Sequence, residues 1–453
     1  MSIDARHPTW LAILAVGALL LTGTARAEPL LALETWQTDN GAEVLFYPID
    51  SLPMVDAQVI FDAGSARDPE DQGGTASLTA SLLEEGTTER DAKAIADGFA
   101  RVGAQFSASA NLETTTVRLR SLTEDGWLWP AVELMAEVIA RPAFNDEDIQ
   151  RERERQLRGI QSRQQSPQAV ASDAFRKAAY GNHPYAHPTE GTRESVESID
   201  PSAVRAFHQQ RFVAANATVV IVGDLDADQA RRLADTLTEG LPTGQPAPAL
   251  PEVAPLQESE TVRIDFPSEQ STVLVAFDGV KRKHEDYLPL YVGNHMLGGS
   301  GFASRLMSEL REKRGLAYST YSYLMPLRAG GRLVMGIQTR NDQVDTALSL
   351  MNEELARFID EGPTDEELAD SQANIVGGFP MRLNSNSKII EQIGALAFLD
   401  LPLDYFDEYT DRVEAVTADE ILQAFDQHIE PQKRVVVIVG PSAEEAEADR
   451  KTE

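Results

Sequence analysis

Cysteine is absent from all 453 residues. That excludes disulfides, thiolate nucleophiles and Cys-ligated metals together. Histidine is nearly as scarce: seven occur, and none lies between His7 and His183. Any metal or acid–base site must draw on that short set or on carboxylates. Positive charge is also in deficit, with 40 Lys and Arg against 72 Asp and Glu, a net −32. A surface this negative repels nucleic acid and anionic lipid, and reads most simply as a solubility device. Beyond the first two dozen residues no run is apolar enough to span a bilayer.

What is present begins with an apolar run from Leu11 to Leu21, preceded by Arg6 and His7. Ala25-Arg26-Ala27 follows as a small-x-small cleavage signature before Glu28. Residues 1–27 are expected to be a secretory signal peptide, removed on export to the periplasm. An uncleaved anchor is the competing reading, and the run is short for one.

The mature chain repeats itself. Asp200-Pro201-Ser202-Ala203-Val204-Arg205-Ala206-Phe207 leads into the β-branched run Ala217–Gly223. Thr417-Ala418-Asp419-Glu420-Ile421-Leu422-Gln423-Ala424-Phe425 leads into Arg434–Gly440 in the same way. Each reads as an amphipathic helix followed by a buried strand. A second pair, Val132–Met135 before Asn145 and Leu348–Met351 before Thr364, falls at nearly the same offset, which points to duplication. Between the halves, residues 241–257 are too rich in proline for helix or central strand and read as a semi-rigid linker. The expected organisation is one domain over 28–240, the linker, a second domain over 258–441, and a charged tail over 442–453. Alternating strands such as Thr114–Leu119 among helices predict an α+β fold of two duplicated domains, each a mostly antiparallel sheet packed with helices.

Four stretches carry a family resemblance: Ala63–Asp68 before Gly74; Tyr180-Gly181-Asn182-His183-Pro184-Tyr185 with Gly191-Thr192; Leu297–Leu306; and Leu310–Tyr318. They resemble the pitrilysin/insulinase zinc peptidases, the inverzincins, over about Leu33 to Gly440. The resemblance implies two α+β halves per subunit and paired subunits closing around a chamber. It also implies zinc on the first half of the catalytic subunit. That family places H-x-x-E-H on a first-half helix, two histidines gripping Zn²⁺ and the glutamate serving the metal-bound water. The matching positions here are Ser77, Ala80 and Ser81, and the later glutamate ligand falls on Gly159. Serine is a poor zinc ligand, and alanine and glycine offer nothing. The expectation is no metal in this chain, with zinc in a partner.

Other candidates are weaker. His183 and His187 are four apart, but Pro184 and Pro188 break the helix that would align them, so a structural loop is expected. Glu84 and Glu85 read as a solvated helix end, and Glu152 and Glu154 as part of a solvent-facing charged helix. The glycines at 298, 299 and 301 read as a tight connection. The run Val102–Ala110 resembles the family's first-half edge strand, which either binds peptide by strand addition or is vestigial here.

Arg311 and Tyr318 stand apart. On composition alone they are a surface arginine paired with Glu309 or Glu312, and a packed tyrosine. The resemblance instead implies that they reach the substrate carbonyl in trans, where guanidinium and phenol donors stabilise developing negative charge. The leading expectation is a non-catalytic subunit of an exported heterodimeric zinc peptidase, bound to a zinc-bearing paralogous partner and to peptide or unfolded polypeptide. The alternative is a pseudopeptidase that scaffolds or captures peptides without hydrolysis.

Overall fold

In the computed structural model, which describes residues 29–441, eleven strands form two sheets. The first holds β1 (Glu34–Gln37), β2 (Glu43–Pro48), β3 (Met54–Phe61), β4 (Gln105–Ala110), β5 (Thr115–Leu122) and β6 (Ala217–Gly223). The second holds β7 (Glu260–Asp265), β8 (Gln270–Gly279), β9 (Ala317–Leu327), β10 (Gly330–Arg340) and β11 (Val435–Gly440). Their orders are β1-β2-β6-β3-β5-β4 and β7-β11-β8-β10-β9. Apart from β1 the two sequences of strands correspond one to one. Each sheet has one parallel pair, β2 with β6 and β7 with β11, and is otherwise antiparallel. The duplicated α+β fold expected from sequence is therefore present. The expected signal peptide and the charged tail lie outside the described residues.

Local chemistry explains the repeated motif. Asp200 caps the helix Pro201–Arg211 through the amides of Ser202 and Ala203, with proline at the first position. Thr417 and Glu420 form a capping box on the helix Ala418–His428. The strands that follow, β6 and β11, are runs of Val and Ile buried along almost their whole length, as central strands covered on both faces must be.

What covers those faces is an exchange between halves. The helix Pro167–Tyr180 of the first half packs on β8 and β11, and the helix Asn386–Phe398 of the second packs on β3 and β6. Phe175 and Tyr180 share an apolar cluster with Leu274 and Val437. Gly394 lies so close to the first sheet that a Cβ there would sit 2.3 Å from Nε2 of Gln58, which donates to the Ile390 carbonyl at 2.9 Å.

The proline-rich segment is held as a strap. It has no helix or strand from residue 241 to 259. Arg67 donates to the Pro248 carbonyl at 2.7 Å, His183 Nε2 to that of Pro251 at 2.8 Å, and Arg332 to that of Ala254 at 3.1 Å. The Val253 amide donates to the Ala329 carbonyl at 2.9 Å. Nearby, Asp62 of the first half receives Arg67 at 2.7 Å and Arg328 of the second at 2.9 Å. The Tyr185 hydroxyl donates to buried Glu113 and accepts from the Ala329 amide at 3.1 Å.

Candidate functional site

Ser77, Ala80 and Ser81 all lie on the helix Thr75–Leu82. Its start is set by Gly74, in the left-handed region at φ +98°, and by Asp68, which accepts from the amides of Gly74 and Ala76 at 2.7 Å each. Burial pushes the Asp68 carboxyl up to about 7 against the pull of those amides. Ser77 is half-buried, Ala80 buried and Ser81 exposed. The Ser81 hydroxyl donates back to the Ser77 carbonyl at 3.1 Å, so it is engaged within its own helix. Gly159 lies on the neighbouring helix Asp146–Arg163, exposed, with open space where a side chain would begin. Gln156 joins the two helices, donating to the Gly74 carbonyl at 3.1 Å. Two hydroxyls, a methyl group and a hydrogen do not make a zinc donor set. One expectation fails nearby: Glu152 is not solvent-facing but buried, paired with Arg155 at 2.9 Å, because its helix packs against Thr75–Leu82.

The histidines supply no replacement on that helix. His183 accepts from the Tyr185 amide through Nδ1 and holds the strap through Nε2, the loop role expected of it. His187 is exposed, His208 is buried, and His295 bonds Ser371 and Asn374. Among the described residues, His284, Asp286 and His428 form the one cluster of three potential metal donors. Its members are already engaged with one another, His428 Nε2 to Asp286 at 2.7 Å and the Asp286 amide to His284 Nδ1 at 3.1 Å.

The second-half segment is built differently. Two wide turns of π-helix, His295–Gly299 and Met307–Glu312, bracket a short turn at Gly301–Ala303. Such turns are rare and recur at functional sites. Gly298 presses on β9, where a Cβ would meet the Ser322 amide nitrogen at 2.5 Å. That matches the structural role expected of these glycines. Arg305 ties the segment down with paired bonds to Glu367, both 2.7 Å.

Arg311 and Tyr318 are brought together here. The Arg311 guanidinium carbon lies 4.9 Å from the Tyr318 ring centroid and 4.6 Å from that of Phe302. Tyr318 is 81 % exposed and Phe302 66 %. The pairing of Arg311 with Glu309 allowed by composition does not occur. Glu309 is taken by Lys313 and Arg314, which hold its carboxyl down to about 2. The Arg311 side chain has no ion pair or hydrogen bond among the described residues. Half-buried, the guanidinium lies against two rings that keep the planar fork in place, and its donors have no protein acceptor among the described residues. Sequence reasoning missed Phe302; a lone aromatic in a glycine-rich turn was the available signal. The edge-strand candidate is β4, whose residues alternate exposed and half-buried. A cavity of about 1080 Å³ lies elsewhere, between the helices Ala92–Arg101 and Asp125–Ala140.

A duplicated α+β chain without zinc ligands at the candidate helix positions, and with Arg311 stacked on an exposed Tyr318, defines a class: a zinc-peptidase-like protein without the zinc motif. Residues 49–193 match the family model described as insulinase (peptidase family M16), and residues 198–375 the one described as peptidase M16 inactive domain. The chain belongs to the peptidase M16 family. It is similar to the crystal structure of a peptidase M16 inactive domain from Pseudomonas fluorescens, with 36% identity and a TM-score of 0.87, covering 91% of this chain and 99% of that one. An uncharacterized zinc protease, YmxG, of Bacillus subtilis is 24% identical over 86% of this chain and 94% of its own. A Helicobacter pylori chain named non-peptidase homolog YmxG is 25% identical over 89% of this chain and 94% of its own.

Proposed function

We propose that this chain is the non-catalytic subunit of an exported, heterodimeric zinc peptidase. A zinc-bearing paralogue supplies metal, water and general base. This chain supplies Arg311 and Tyr318, which donate to the substrate carbonyl and brace the peptide backbone. The observation that carries this reading is a helix without zinc ligands at the candidate positions together with an exposed Tyr318 stacked on a half-buried Arg311 whose side chain has no hydrogen-bond or ion-pair partner among the described residues. A side chain kept only for packing would not be 81 % exposed. No zinc is expected on this chain's first-half helix; the metal belongs to the partner. Location in the periplasm, after removal of residues 1–27, is part of the proposal and rests on the N-terminal pattern.

The test is co-expression with a paralogue that carries the intact histidine motif, followed by peptide cleavage by each chain and by the mixture. Activity restricted to the mixture supports the reading. Equal activity of the paralogue with and without this chain contradicts it. Intact mass of the periplasmic protein should place its start at or near Glu28; retention of Met1 in a membrane fraction would contradict export as a processed chain.

A second reading is a pseudopeptidase that scaffolds or captures peptides. It is favoured by the non-peptidase name of the Helicobacter pylori relative. Peptide binding without hydrolysis in any pairing would bring it forward.

A further inference from the structure

β9 separates two environments. The Arg311 segment lies on one side, with Leu306 and Leu310 in the main core of the second half. On the other side the helix Pro167–Tyr180 leaves a cavity of about 260 Å³ against β8, β9 and β10. Its walls include Ser172, Arg176, Thr272, Tyr321, Tyr323 and Met325, and no carboxylate. Tyr321 and Tyr323 stack there with ring centroids 5.9 Å apart.

Two polar atoms of this wall are buried without a hydrogen-bond partner: Nη1 of Arg176 and Oγ1 of Thr272. Arg176 has no ion pair among the described residues, and Asp173, one turn back, is engaged by Arg163 at 3.0 Å. A buried polar group left unpaired costs about 1–3 kcal/mol, and more when charged. Native proteins keep few of them, and each calls for a ligand, a water or a function. In the corresponding crevices of the first half, beneath Asn386–Phe398, Gln58 Oε1 is also unpaired, but the arginines are not left open. There Arg120 is paired with Asp56 at 2.9 Å and Arg118 with Glu391 at 3.2 Å. In a chain of net charge −32, with acids to spare, an arginine and a threonine left open on one cavity wall mark a place for an outside acceptor.

We propose that this cavity binds a carboxylate carried on a small apolar or aromatic body. Arg176 Nη1 and Thr272 Oγ1 donate to the carboxylate, and the body lies against Tyr321, Tyr323 and Met325. A phosphate dianion would call for more than the single cation present. The volume is below the roughly 300–1,000 Å³ of drug-sized sites, so it suits one side chain, a chain terminus or a small organic acid. The site is separate from Arg311 and Tyr318 and stands or falls independently of the zinc partner.

Calorimetric titration of the full mature chain tests this with N-acetylphenylalanine, its amide, and tetrapeptides. One tetrapeptide ends in a free phenylalanine carboxylate, one is its C-terminal amide, and one is amidated with an internal glutamate. Binding of the free-terminus peptide assigns a chain terminus, binding of the glutamate peptide an acidic side chain, and binding of N-acetylphenylalanine alone a free organic acid. In each case Arg176→Gln should weaken binding by about tenfold or more. Arg176→Lys should recover part of it. Thr272→Val, which keeps the shape, should weaken binding several-fold with unchanged Tm and so separates ligand loss from misfolding. The proposal is overturned if no carboxylate probe binds the wild-type chain, if amide and acid bind alike, or if Arg176→Gln and Thr272→Val both bind as wild type does.

Discussion

Arg311 shows how little of a side chain's chemistry is set by its own identity. Its neighbours Lys313 and Arg314 absorb Glu309, leaving its guanidinium to the rings of Phe302 and Tyr318. An exposed cation–π contact is worth only about 0.5–1 kcal/mol. Arg311→Ala should therefore leave unfolding within about 1 kcal/mol of wild type while weakening peptide binding and turnover by the heterodimer. Loss of stability well beyond that, in urea unfolding, would make the residue structural. At the buried extreme, His208 donates from Nε2 to the Ile139 carbonyl at 2.8 Å and stacks on Phe212 at 4.6 Å. Burial holds its pKa down to about 4, against 6.5 unperturbed. Between those values the unfolded chain binds a proton that the folded chain refuses. The stability it confers is thus whole above pH 6.5 and lost as pH falls toward about 4, by up to about 3 kcal/mol. His208→Gln should flatten this part of the stability–pH curve; identical curves for the two proteins would contradict the assignment.

At the scale of elements, the site rests on two segments with opposite fates. The helix Thr75–Leu82 is capped by Asp68 and packs against Asp146–Arg163, and its candidate metal positions hold Ser77, Ala80 and Ser81. The wild-type chain should bind no zinc there: elemental analysis should find no stoichiometric metal that depends on this helix. A bound zinc abolished by Ser77→Ala and Ser81→Ala would contradict that. The π-turn segment keeps its geometry through Gly298, whose Cα lies where a methyl group would strike the Ser322 amide at 2.5 Å. Gly298→Ala should destabilise by about 1–3 kcal/mol and displace the Arg311 segment, read as a lower urea midpoint together with weaker peptide binding. Helix starts and stops were legible in sequence because they have local causes, such as the capping boxes at Thr417 and Thr364. The two π turns were not, since they arise from packing on β9 rather than from propensity. Glu152 was misread for a related reason: a charged run does not reveal which of its members turns inward.

Across the whole molecule the duplication was legible, because β6 and β11 are adjacent in pattern to helices of the same kind. The exchange of Pro167–Tyr180 and Asn386–Phe398 between halves was not, because nothing in a helix's own periodicity names the sheet it covers. That exchange, the proline strap and the Glu113–Tyr185–Ala329 junction bind the halves together. Tyr185→Phe leaves Glu113 and the Ala329 amide each short of a partner, and should cost about 1–3 kcal/mol in a single unfolding transition. Two separated transitions in the wild type would show the halves to be independent. The proposed function rests on Tyr318 acting across an interface, and Tyr318→Phe tests it most directly because only a hydroxyl is removed. Turnover by the complex reconstituted with the zinc-bearing paralogue should fall by up to about a hundredfold, the lower end for one oxyanion-type donor since zinc carries part of the same charge. Assembly on size exclusion should be unchanged. Full turnover by Tyr318→Phe combined with Arg311→Ala would contradict the shared site.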